Sequence, residues 1–225
     1  MPDRFCKLHK EENGIAILTI PGLSTLPALS LLETLQRQIA LFAGNSSSKG
    51  IILTGTVDGF CRCSSETAIA PYEASALSGF GQQVMFSLER TGKPCVAALS
   101  GKCTGLGLEL ALACDFIVAS DSASFGFPGI ADGNIPFCGG TQRLVRLVGK
   151  SKSKELIYSG ELIDAAEAFS IKLTNRLYSA DGLMPGVQDL MSRICTRSPH
   201  AIRIGSEVVN AGYDIDLKTA CMLER

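Results

Sequence analysis

The residues with the most chemical content lie in 95–119, CVAALSGKCTGLGLELALACDFIVA. Glu109 stands in an apolar run, flanked by Leu108, Leu110, Ala111 and Leu112. Burial in such company disfavours the charged carboxylate and raises its pKa, toward the range where a carboxyl can take up and return protons. Just ahead of it, Gly105 and Gly107 let the backbone bend sharply and approach a ligand with no Cβ in the way. A helix opening near Leu106 would aim its unpaired N–H groups and positive dipole end into that turn. Such a nest suits an anion, or an oxygen on which negative charge develops during a reaction. The pattern is that of a proton-transfer group beside an oxyanion nest. The same residues also have a plain structural reading, in which a first-turn acid complements the helix dipole and the glycines shape a turn.

Positioning these groups requires strands on either side, at 95–99 and 116–119, both short apolar runs suited to a buried parallel sheet. Upstream, 5–10 and 14–20 read as a hairpin across Glu11-Glu12-Asn13-Gly14. A helix from about 27 repeats Leu32, Leu35, Ile39 and Phe42 at helical spacing. A strand at 50–54, a loop at 55–70 and a helix over 73–90 complete the approach. Downstream, a loop at 125–138 leads to a helix over 141–148 that Gly149 closes. After Ser151 only helices are expected, one starting at an Asp164/Glu167 capping box, others near 186–197, 199–210 and 216 to the end. The organisation predicted is an α/β core over 1–150 followed by a helical region over 151–225. Gly105-Leu106-Gly107 also suggests dinucleotide binding. That reading fails because the third glycine position holds Leu110 and the next candidate acid, Asp121, lies in a polar turn beyond the following strand.

Composition narrows the function classes. A 225-residue chain with 46% hydrophobic residues can bury a full domain core, and no apolar run approaches a membrane span. The net charge of −1, with acids and bases interspersed, offers no stripe for nucleic acid or an anionic membrane. Nine cysteines lacking C-x-x-C spacing argue for a reducing compartment and against both a disulfide framework and a zinc site. Only His9 and His200 are available for Ser-His or Cys-His chemistry, and neither sits in a catalytic pattern. The N-terminal residues carry acids and no apolar signal core, so a cytoplasmic location is the expectation.

Residues 93–119, then Phe125-Gly126-Phe127-Pro128 and Gly139-Gly140-Thr141-Gln142-Arg143-Leu144, resemble the crotonase superfamily of enoyl-CoA hydratases and isomerases. The likeness spans nearly the whole chain and is most specific in 109–115 and 139–144. It implies a spiral of ββα units with a C-terminal helical extension that assembles trimers or hexamers. It also implies a lyase or isomerase of fatty acid metabolism that binds acyl-CoA thioesters. Coenzyme A would then enter as part of the substrate, with no separate cofactor and no metal. Two backbone N–H groups would hold the thioester oxygen as an enolate, and Glu109 would move protons. By resemblance the two donors are Arg62 and Leu106.

Three departures from the family pattern bear on function. The first donor loop, usually F-C-A-G-x-D, reads Phe60-Cys61-Arg62-Cys63-Ser64-Ser65. Arg62 therefore keeps the N–H but adds a long side chain, which blocks the pocket, meets a CoA phosphate or lies on the surface. Leu106 takes the position of a family glycine and also keeps its N–H. The second family glutamate is replaced by Gly129, with Asp132 three residues on as a substitute acid or a solvated turn residue. Family members usually continue beyond 225 by another helix or two that help cover the CoA site. Two readings follow, an acyl-CoA hydratase/isomerase working with one glutamate, and a catalytically degraded relative acting as a binding or assembly subunit.

Overall fold

The computed structural model describes residues 6–10, 13–21, 27–56, 59–61 and 71–225. Its main sheet has six strands in the order β1-β2-β3-β4-β6-β9. These are β1 (Lys7–Lys10), β2 (Ile15–Thr19), β3 (Gly50–Thr54), β4 (Cys95–Leu99), β6 (Phe116–Ser120) and β9 (Arg176–Tyr178). The expected hairpin forms, with β1 antiparallel to β2, and every other neighbouring pair is parallel. The central strands are apolar along their length because both faces are covered, as parallel sheets require.

Period-two alternation divides those strands between two cores. Leu18, Ile51, Leu53, Ala97, Leu99 and Ile117 belong to the larger one, with α1 (Ala28–Gly44) and α2 (Pro71–Glu89). Leu32, Leu35, Ile39 and Phe42, the predicted stripe of α1, are all buried there. Ile15, Ile52, Val96, Ala98 and Val118 form the other face, which α7 (Leu183–Cys195) covers with Leu183, Val187 and Met191. Lys93 joins the end of α1 to the start of β4. Its ammonium donates to the carbonyls of Phe42, Ala43 and Asn45 at 2.9–3.0 Å, where the helix C-terminus leaves acceptors open.

A second, three-stranded sheet runs β5 (Lys102–Thr104), β7 (Ser124–Gly126), β8 (Ile163–Asp164). It was not expected, because strands of two or three residues are too short to show alternation. The expectation of helices alone after Ser151 is corrected for the same reason, since β8 and β9 both lie in that region. Asn175 docks β9 by exchanging two bonds with Ile117, side-chain oxygen to its N–H at 2.9 Å and N–H to its carbonyl at 2.7 Å. The remaining helices are α3 (Leu106–Leu112), α4 (Gly140–Val148), α5 (Lys150–Ser159), α6 (Ala165–Ser170), α8 (Pro199–Gly212) and α9 (Leu217–Met222). Asp164 caps α6 as predicted, accepting from the Glu167 N–H at 2.8 Å. The Glu167 carboxylate pairs with Lys152 at 2.6 Å. Among the described residues no helix is long and apolar enough to cross a membrane.

Candidate active site

Glu109 sits on the first turn of α3 and is 1% exposed. The approach to α3 depends on two glycines. Gly105 has φ +55°, a conformation that L side chains rarely adopt, and turns the chain from β5 into the helix. At Gly107 a Cβ would lie 2.6 Å from the Phe60 carbonyl oxygen and 3.0 Å from that of Cys61. Only glycine lets the chain at 60–61 come that close. Cys61 itself has φ +48°, an uncommon conformation for a residue with a side chain. The two residues before Arg62 thus lie against the first turn of α3, where Leu106 is 4% exposed. Arg62, and Cys63 after it, lie outside the described residues.

The Glu109 carboxylate reaches the segment leading into α4. Oε1 accepts from the Phe137 N–H at 3.2 Å, and Oε2 accepts from the N–H groups of Cys138 at 2.7 Å and Gly140 at 2.8 Å. Burial pushes its pKa up, while those three donors and the nearby Arg143 charge pull it down. Desolvation is the largest influence, and the pKa stays above the usual carboxylate value. Gly140 is required here, because a Cβ would sit 2.6 Å from Glu109 Cγ. Arg143 backs the same segment. Its Nη1 donates to the Cys138 carbonyl at 3.1 Å, its Nε meets Glu89 Oε1 at 2.6 Å, and its guanidinium lies 5.1 Å from the Phe86 ring centre.

Other sequence-singled residues fall differently. Gly129 lies in a 3-10 turn, Pro128–Asp132, and the nearest atoms to a Cβ there are Asn134 Cβ at 3.5 Å and its carbonyl oxygen at 3.8 Å. A side chain fits at that position. Asp132 is exposed at the end of the same turn. His200 is exposed at the start of α8, and His9 lies in β1 opposite Ile17. Asp115 is a clip, its Oδ2 accepting from the Cys95 N–H at 2.7 Å where β4 begins. Among the described residues no group of three or more His, Cys, Asp or Glu is placed to hold a metal ion.

A cleft of about 1140 Å³ opens between α2, the segment before α4, α4 and α8, lined by Phe86, Arg90, Phe137, Arg143 and Tyr213 among others. Phe137 connects it to Glu109, because it lines the cleft and donates its N–H to the carboxylate. Sequence reasoning missed both the cleft and the grip on Glu109. Helical spacing of Ser78, Gln82, Phe86 and Glu89 marks one wall of the cleft, but its other wall, 206–214, lies more than a hundred residues away in the chain.

The geometry has counterparts in known proteins. The enoyl-CoA hydratase/isomerase family model matches residues 10–225. A crotonyl-CoA hydratase of Syntrophomonas wolfei is 34% identical over 223 residues, covering 96% of this chain and 85% of that protein. A putative enoyl-CoA hydratase/isomerase of Bacillus subtilis is 36% identical over 222 residues, with 97% and 85% covered. The crystal structure of an enoyl-CoA hydratase from Bacillus anthracis superposes with a TM-score of 0.88 at 28% identity, covering 98% of this chain and 88% of that one. A sheet covered by helices on both faces, with a buried glutamate behind a glycine turn, is thus a crotonase-type α/β fold. The chain belongs to the enoyl-CoA hydratase/isomerase family of the crotonase superfamily.

Proposed function

We propose that the protein acts on enoyl-CoA thioesters, with Glu109 as its acid–base group and the N–H groups of Arg62 and Leu106 as the oxyanion hole. The observation that carries this reading is the Glu109 carboxyl, almost fully buried on the first turn of α3 with its pKa raised by burial. A carboxyl so placed is held nearer the pH at which it can both accept and return a proton. Coenzyme A would enter as part of the substrate. With Gly129 where a second family carboxyl would stand, one glutamate must handle each proton in turn, or Asp132 must move in to help. Shuttling a single proton between two carbons asks less of this site than adding water does. Incubation with crotonyl-CoA and with a 3-enoyl isomer, with products separated, tests the reading. Hydration or double-bond migration by the wild-type protein, lost in Glu109→Gln, is the expected result. No turnover of either substrate would overturn it.

One observation favours the second reading, a degraded relative serving as a binding or assembly subunit. Both Glu109 oxygens are engaged by three backbone N–H groups, so the carboxylate also works as a structural peg. In that reading crotonyl-CoA binds without turnover, and Glu109→Gln changes stability alone.

A further inference from the structure

We propose that Arg143 is the positioning residue for Glu109, fixing segment 137–140 so that its N–H groups orient the carboxylate; this rests on the reading of Glu109 as the acid–base group. Residue 138 is gripped from both sides. Its N–H donates to Glu109 Oε2 at 2.7 Å, and its carbonyl accepts from Arg143 Nη1 at 3.1 Å. Arg143 is itself held from a third element, through Glu89 on α2 at 2.6 Å and the Phe86 ring, and its side chain is only 14% exposed. A guanidinium can serve two acceptors from different elements at once because Nε and Nη1 are fixed in one plane. A lysine ammonium is a point charge with no such fork. The two glycines complete the device. Gly139, with φ +97°, leaves the space that the guanidinium occupies, and Gly140 leaves the space for the Glu109 stem.

The arrangement therefore runs Glu89, Arg143, residue 138, Glu109, and joins α2, α4 and α3 at a single peptide segment. Without the guanidinium, the Cys138 carbonyl loses its charged donor. The hold of α2 on the segment is then reduced to Ser78 Oγ and Gln82 Nε2, which donate to the Phe137 carbonyl at 2.7 and 3.4 Å, so residues 138–140 gain room to shift. The carboxylate then loses the fixed orientation that the N–H groups of Cys138 and Gly140 give it. A misplacement of that order acts on the chemical step rather than on binding of the CoA portion.

The test compares wild type with Arg143→Gln, Arg143→Lys and the double variant Glu89→Gln/Arg143→Gln, which removes both charges and leaves neither partner unpaired. Amide hydrogen exchange at Cys138 and Gly140 is read alongside kcat and KM for crotonyl-CoA. Arg143→Gln and the double variant are expected to speed exchange at both amides by roughly 10–100-fold. They should lower kcat by about 10–100-fold with KM nearly unchanged, and Arg143→Lys should recover only part of either. Unchanged exchange at both amides overturns the proposal whatever the activity, and so does faster exchange with unchanged kcat. Full recovery by Arg143→Lys also overturns it, because charge alone would then suffice. Faster exchange in the variants of a wild type that turns over no enoyl-CoA would uphold the clamp and overturn the enzymatic reading instead.

Discussion

Glu109 occupies an unusual balance, since an almost fully buried carboxylate is stabilised by three N–H groups and one guanidinium without being drawn down to an ordinary pKa. Because its folded pKa lies above its unfolded value, the protein binds more protons than the unfolded chain between those two values. The Glu109 contribution is then most stabilising below the ordinary carboxylate pKa and is lost as pH rises through the raised one. Subtracting the pH–stability curve of Glu109→Gln from that of wild type should show this fall across that window and a flat difference above it, by urea titration. In turnover, the same substitution keeps the size but cannot shuttle a proton, and a loss of about 10²–10⁴-fold is expected. Gly129 is the complementary site. Its backbone is not left-handed and the nearest atom to a Cβ is 3.5 Å away, so Gly129→Glu should fold. We expect it to raise crotonyl-CoA hydration, by up to about 10²–10⁴-fold if the new carboxyl reaches the substrate. No gain, with binding of crotonyl-CoA intact, would place the defect in the donor loop.

At the scale of elements, α3 is placed by how closely chain 60–61 approaches it. Gly107→Ala puts a methyl 2.6 Å from a carbonyl oxygen and should cost about 1–3 kcal/mol in urea unfolding. Gly44→Ala, where a Cβ meets nothing within 4 Å, is the control expected to be neutral or better. The long elements were legible in the sequence because each carries its own period. The stripe of α1, the apolar runs of β3, β4 and β6, and the Asp164 cap all signal locally. Strands β5, β7, β8 and β9 did not, since two or three residues cannot display alternation and their pairing is decided by distant partners. The site divides the same way. Glu109 stood out as an acid in an apolar run, whereas its grip by residues 137–140 and Arg143 depends on glycine spacing whose purpose appears only when α3 and α4 meet.

For the whole molecule, the C-terminal helices leave apolar surface in water. Val209 is 67% exposed, Leu217 80% and Met222 58%, and α8 buries none of its residues. A trimer, or a hexamer of two trimers, is the expected assembly that covers this face, and sedimentation equilibrium at micromolar concentration checks it. A stable monomer would contradict the expectation, and Val209→Asp should shift the distribution toward monomer. The sheet imposes a further consequence, on the order of biosynthesis. One whole face, from Ile15 to Val118, is covered by α7, whose Val187 and Met191 are translated long after Ile15. At about 5–20 residues per second, the completed face waits on the order of 3–15 s after Val118 for its cover. During that interval the nascent chain carries an aliphatic sheet surface with no partner of its own, the kind of surface that makes an incompletely folded chain prone to aggregate.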